Sequence, residues 1–273
     1  MRIYVILLIW MVLSGMNWVL FGQEMSAEDI ARASQNPVTM IYSVPVQNNM
    51  YFDIGPNHDW KNVANFQPVI PIDFTRKWDL VFRMIMPITS IPGGLNPYGA
   101  SGVTGIGDIT LTAFLAPKEV GKTVWAAGAV LYMPTASDEA FRTKKWGAGP
   151  SVVALQMNGP WVYGALVMNF WSFAGSNDYV ERINTMQIQP FVNYNFGTTG
   201  WFLSTVPIIF ANWEADSDNR WTVPLGGGIG KAFKFGRVPI TLITQAFYNV
   251  VTPEVSGEKW QLRVQGQVFF PRK

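Results

Sequence analysis

His58 is the only histidine of the chain, Asp59 follows it directly, and cysteine is absent. A serine hydrolase would have to recruit His58 as its base. Adjacency along the chain does not give a histidine and a carboxylate the converging geometry of a dyad. A solvated loop histidine is the plainer reading. A metal site would rest on His58, Asp53 and Asp59, one imidazole and two loop carboxylates, which is a weak ligand set. The acidic run EADSD, 214–218, could hold a divalent cation through its oxygens, yet it reads more simply as a solvated loop tip. GGGIGK, 226–231, lacks the first glycine spacing and the Ser/Thr of a phosphate-binding loop, and GGLNPYGASGVTGIG matches no such spacing either. No catalytic, cofactor-binding or metal-binding residues emerge, and the chain is expected not to be an enzyme.

A second set of polar residues lies in apolar, alternating stretches. Arg83 in VFRMIM falls opposite Phe82 and Met84, and Asp108 in GIGDITLTAF shares a face with Thr110, Thr112 and Phe114. In WQLRVQGQVFF, 260–270, Trp260, Leu262, Val264, Gly266 and Val268 alternate with Gln261, Arg263, Gln265 and Gln267. TMQIQPFVNYNF sets Gln187, Gln189 and Asn193 against Ile188 and Val192, and ANFQPVIPID sets Asn65 and Gln67 against Phe66 and Ile70. Such strands have one apolar and one polar face. Polar side chains turned into a narrow pore would set ion selectivity or meet a substrate carboxylate through arginine. For any single residue, an interior network that merely fills space is the simpler role; the set together reads as a lumen lining. Arg83 and Asp108, if level, would pair and leave Arg263 as the free cation.

These side chains need elements to hold them. The pattern from Val38 onward predicts strands at about 38–48, 63–73, 78–88, 105–116, 123–134, 146–156, 161–173, 184–196, 201–212, 221–233, 238–251 and 260–270. Their connections alternate in length. FTRK, PKEVGK, MNGP, GTTG and KFGR are short, whereas NMYFDIGPNHDWKN, TSIPGGLNPYGASGVT, TASDEAFRTKK, GSNDYVER, WEADSDNR and TPEVSGEK are longer and often charged. Short periplasmic turns, long outer loops and an even number of antiparallel strands characterise outer-membrane barrels. The facing of the glycine-rich stretches WTVPLGGGIGKAF and WGAGPSVVAL stays ambiguous.

Composition agrees. Only 14% of residues are charged while 49% are hydrophobic, so the chain is hard to keep soluble, and the net charge of +2 offers no field for nucleic acid. After residue 21 no apolar run is long enough for a membrane helix. Residues 1–22, with Arg2 ahead of an apolar run, read as a signal peptide. Residues 23–37 read as a short helical segment at the periplasmic mouth, capped by Ser26 with Asp29 and ended at Asn36-Pro37, and residues 38–273 as the barrel. Ile30 is the helix's one large apolar residue after Met25, so its hold on the barrel is expected to be weak. Trp78, Trp125, Trp146, Trp161, Trp201, Trp221 and Trp260 stand at strand ends, where interfacial aromatics belong.

The stretches ASQNPV, SVPVQNN, FQPVIP, GIGDIT, MPTASDEAFRTKKWGAGPSVVALQ, GPWVYGALVMNFWSFAG and QPFVNYNF, between about Gln35 and Phe270, resemble a widespread bacterial family of outer-membrane transporters. It is labelled for the MetA pathway of phenol degradation, and some members carry the name neuromedin U. The resemblance implies an outer-membrane barrel and a transport role, with no catalytic residues to carry over. The expectation is an all-β, transmembrane antiparallel up-and-down barrel of about twelve strands with a short periplasmic helix, exported to the outer membrane. It would contact outer-membrane lipid, the barrel-assembly machinery during biogenesis, and a small-molecule solute. No cofactor and no nucleic acid are expected. The expected function is a passive channel for small molecules, apolar or aromatic as the family label suggests. The alternative is a structural or loop-mediated ligand-binding barrel, and an outer-membrane hydrolase comes last.

Overall fold

A computed structural model describes residues 25–55, 57–119, 121–177, 180–254 and 257–270; the expected signal peptide lies outside them. Helix α1 (Ala27–Ser34) is followed by β1 (Tyr42–Ile54), β2 (Asp59–Phe66), β3 (Val69–Asp73), β4 (Trp78–Ile91), β5 (Val103–Ile106), β6 (Ile109–Pro117), β7 (Thr123–Met133) and β8 (Lys145–Asn158). The chain continues through β9 (Trp161–Gly175), β10 (Asn184–Asn195), β11 (Trp201–Thr205), β12 (Ile209–Asn212), β13 (Trp221–Phe235), β14 (Val238–Val251) and β15 (Glu258–Phe270). Every neighbouring pair is antiparallel, and β15 pairs with β1 from Tyr42↔Phe270 to Ile54↔Glu258, which closes the sheet. Among the described residues no helix is long and apolar enough to cross a membrane.

The segments make twelve staves. Three staves are broken in two: β2 and β3 at Gln67-Pro68, β5 and β6 at Gly107-Asp108, and β11 and β12 at 206–208, around Pro207. Proline cannot donate to the ladder, and glycine relaxes it. At Asp108 the carboxylate itself accepts from the Ala136 and Thr143 amides (2.9 and 3.1 Å), standing in for lost ladder bonds.

Most full strands run 13–15 residues. A bilayer needs about 9–11 tilted residues. The surplus lengthens the ladder at the long-loop end, where β15, β1 and β2 stay paired as far as Glu258, Ile54 and Asp59. For this reason the first expected loop, 49–62, is mostly strand: β1 and β2 extend the ladder to Ile54 and Asp59, and Gly55, Asn57 and His58 lie in the turn. His58 sits in that turn with φ 54°, its ring paired with Asp53 and exposed.

Facing follows the alternation. On β15, Gln261, Arg263 and Gln267 are buried inward while Trp260 and Val264 are exposed outward. Outward rings gather at the two ends. At the short-turn end Trp78 packs edge-on to Trp125 (5.8 Å between centroids) and Trp161 to Tyr194 (4.8 Å), with Trp201 under Lys231. At the other end Trp213 meets Trp221 (5.6 Å) and Tyr248 meets Trp260 (4.8 Å), with Trp146 also exposed. Rings there keep an apolar body in lipid and a polar edge in water.

The interior departs from a uniform polar lining. Val69, Val81, Phe114, Val124, Val130, Val153, Leu155, Val162, Leu166 and Phe191 point inward and pack with Val38 into a closed apolar core. One half of the barrel is therefore filled like a soluble protein. The other half carries buried Ser43, Gln47, Asn49, Thr241, Gln245 and Gln261. Tight packing also accounts for GGGIGK. A Cβ on Gly230 would lie 2.2 Å from the Phe202 ring, and one on Gly228 would lie 1.8 Å from the Thr244 carbonyl oxygen.

The N-terminal segment enters the short-turn mouth. Ser26 caps α1 and Asp29 answers it in a full capping box; the hydrogen bonds from Ser26 hold the Asp29 carboxyl below its ordinary range. Its grip exceeds the weak hold expected from sequence. Ile30 is fully buried among Phe202, Ala232 and Phe269. The Gln35 and Asn195 side-chain amides bond reciprocally (2.9 and 3.1 Å), and Arg32 donates to the Gly159 carbonyl (2.6 Å). The strand begins at Tyr42 rather than Val38, because residues 38–41 are spent on reaching the wall from inside.

Candidate functional site

The space left beside the apolar core forms two cavities inside the barrel. The inner one, about 90 Å³, lies against the N-terminal segment, with Ser34, Gln35, Asn36, Pro37 and Thr39 forming one wall. The outer one, about 250 Å³, widens toward the long loops. Five residues line both: Gln47, Gln67, Arg83, Gln189 and Arg263. They form a waist.

Each expected lining residue has a place on these walls. Asn65, Asp108, Thr110, Gln187 and Gln261 line the outer cavity; Asn193, Gln265 and Gln267 line the inner one; Gln67, Arg83, Gln189 and Arg263 belong to the waist. The alternation brings them to one lumen because period-two side chains share a face.

The two arginines are held differently. Arg263 is buried; its Nε donates to Asn49 Oδ1 (3.1 Å), its Nη1 to the Val206 carbonyl (2.7 Å) and more loosely to Gln245 Oε1 (3.4 Å), and its guanidinium lies over Phe247 (4.9 Å). It thereby tethers the inward break between β11 and β12. Arg83 donates through Nη2 to Gln67 Oε1 (2.8 Å). Among the described residues neither arginine has a carboxylate within ion-pair distance.

The pairing of Arg83 with Asp108 does not form. The β4–β6 register sets Arg83 opposite Thr112, and the Gly107 amide bonds the Pro87 carbonyl (2.9 Å), so Asp108 lies near Pro87. Four residues along a strand is roughly 13 Å. Asp108 is instead satisfied locally by the Tyr132 and Thr143 hydroxyls (2.8 and 2.6 Å) and by two backbone amides. The other acid on the wall, Glu258, faces Lys61 (3.4 Å).

Several lumen residues escaped the sequence reading: Gln47, Asn49 and Tyr51 on β1, and Gln245 and Asn249 on β14. Asn49 Oδ1 accepts from Gln47, Gln261 and Arg263, which makes it the hub of the polar half. Alternation over SVPVQNNMYF and ITLITQAFYNV carried the signal, but mixed apolar residues on the inner face diluted it. Tyr132, Met168, Phe170, Ile208 and Phe210 give the outer cavity its apolar wall, and Pro224 stands beside Asn249 of the polar arc. The lumen is thus amphipathic around its circumference.

No curated protein matches the chain. Among solved structures, an outer membrane channel from Pseudomonas putida F1 superposes with a TM-score of 0.67 at 16% identity, over 86% of this chain and 97% of that one. Outer membrane phospholipase A from Escherichia coli follows at a TM-score of 0.47 and 13% identity, over 90% and 99%. A FadL homologue from Pseudomonas aeruginosa gives a TM-score of 0.42 at 10% identity, over 91% and 94%. Identities this low speak to the fold alone. Residues 59–250, well over half of the chain, match a family described as "Putative MetA-pathway of phenol degradation". The closed twelve-stave barrel is an outer-membrane protein, and the chain belongs to that family.

Proposed function

We propose that the protein is a passive channel for small molecules across the outer membrane, with no catalytic step of its own. The observation that carries this reading is the pair of cavities meeting at a common waist beside the apolar core. A barrel built only for support has no use for two arginines on such a wall, one buried and one half-buried, with no carboxylate at ion-pair distance among the described residues. The half-polar, half-apolar circumference favours solutes with an apolar body and one polar group, a class that includes simple aromatics. His58, exposed at a hairpin tip and paired with Asp53, is poorly placed to serve hydrolysis.

A specific observation favours the second reading, a closed non-transporting barrel. The N-terminal segment walls the inner cavity and is anchored by Ile30 and Gln35. Planar bilayers separate the two. The channel reading expects discrete conductance steps from the purified full chain in KCl, enlarged when residues 25–40 are deleted. Silence from both the full chain and a folded, heat-modifiable deletion variant would transfer the conclusion to the structural barrel.

A further inference from the structure

We infer that the waist is a binding site for an organic carboxylate carried on an apolar body. The inference names the solute class for the proposed channel and rests on that reading for the route, though binding itself can be measured without transport.

The charge balance at the waist points to an anion. Arg83 and Arg263 line both cavities, and no acid lines the inner one. The two acids on the outer wall are occupied: Asp108 accepts from four donors, and Glu258 faces Lys61. A guanidinium carries five N–H donors. Arg83 spends one of its nitrogens on Gln67 and has no other protein acceptor among the described residues. Arg263 uses Nε and Nη1, which leaves Nη2. The amide heads of Gln189 and Gln265 also have no protein partner among the described residues, and both line the same space. Two cations and spare amide donors on the wall of one cavity, in surroundings drier than bulk water, suit an oxyanion.

The shape of the remaining wall selects what the oxyanion is attached to. Met168, Phe170, Ile208 and Phe210 stand in the outer cavity together with the waist arginines. A dry cavity of roughly 150 Å³ takes benzene. The outer cavity, at about 250 Å³, has room for a ring with one carboxylate directed at the waist. A fully hydrated inorganic anion would leave the apolar arc unused. A neutral aromatic would leave the arginines without a counter-charge.

The test uses the purified full chain in a non-ionic detergent, with sodium benzoate and its neutral counterpart benzamide titrated calorimetrically at fixed ionic strength. Benzoate is expected to bind at least about tenfold more tightly than benzamide, the worth of one charge-assisted hydrogen bond. Arg83→Gln should remove most of that preference, and Arg83→Lys should retain part of it. Heat-modifiable migration on gels verifies that each variant is folded. Arg83 is the position to change because Arg263 also braces the wall. Equal binding of benzoate and benzamide, no binding of either, or displacement of benzoate by chloride at equal concentration would overturn the inference. Single-channel recording keeps the two conclusions apart: conductance without benzoate binding sinks this site and leaves the channel, whereas binding without conductance sinks the channel and leaves the site.

Discussion

Replacing Ile30 with alanine should release the N-terminal segment from the barrel without unfolding the barrel. The side chain is fully buried, in contact with Phe202, Ala232 and Phe269, with Met25, Ala33, Ile41 and Ile243 around it. The change removes three carbons, worth about 0.8 kcal/mol each in transfer. A residual cavity adds to this, and the usual range for such a truncation is about 2–5 kcal/mol. A rigid strand wall relaxes little, so about 3 kcal/mol is a fair figure, equivalent to roughly 150-fold in the docking equilibrium. An eight-residue helix does not persist alone in water, so undocking and melting are one event. Hydrogen exchange of the amides of α1, followed by mass spectrometry in detergent, should therefore accelerate about 150-fold at most, while β1 and β15 keep their protection. The control is Glu28→Ala, which removes only a part-exposed ion pair with Arg32 and should do little. Unchanged exchange in Ile30→Ala would refute the reasoning. It would mean that the Gln35–Asn195 amide pair and the Arg32–Gly159 bond carry the segment.

Three further outcomes are expected. Val264→Arg, on the lipid face of β15, should cost about 2–4 kcal/mol in urea unfolding from lipid if the site lies near the midplane; tolerance of the arginine would place that face elsewhere. With the wild type conducting in a salt gradient, Arg83→Gln should move the reversal potential toward cations with the barrel intact. Arg263→Gln should do so together with lower thermal stability, because Asn49 and the Val206 carbonyl lose their donor; unchanged selectivity in both would remove the arginines from the path. Asp29 has its carboxyl held low by Ser26, so its contribution to α1 is full above the ordinary carboxylate value near ~3.9 and is lost as pH falls through the lower folded value. Hydrogen exchange of the α1 amides, corrected for the intrinsic rate at each pH, should thus quicken only below that window, and Asp29→Asn should abolish the step.

The expectations about Arg83 and about the helix went astray for related reasons. Sequence alternation tells which face a side chain takes, but not its height relative to the next strand. The loop 92–102 between β4 and β5 hides the register, so Asp108 could not be ranked against Arg83 until the ladder was seen. The grip of α1 was underrated because Ile30 counts as one apolar residue in its own segment. Its partners Phe202, Ala232 and Phe269 come from three distant strands, and Gly230 makes room for Phe202. The interior half-core was hidden likewise. On β7–β9 both faces are apolar, so alternation there separates nothing.

By itself the sequence determined the barrel: period-two alternation, loops sorted by length, tryptophans at strand ends and scarce charge follow from the need to satisfy every backbone group inside lipid. The same local rule determined the lumen side of Gln261, Arg263, Gln265 and Gln267. Only the tertiary structure decided how twelve staves use their interior. Closing the sheet sets Val38 against Val81 and Phe114, Ile30 against Phe202, and Arg263 under the break at Val206, and so divides the lumen into a solid half and a polar half with a waist. Those contacts join residues as many as 172 positions apart, as with Ile30 and Phe202, and no local pattern encodes a distance across a barrel.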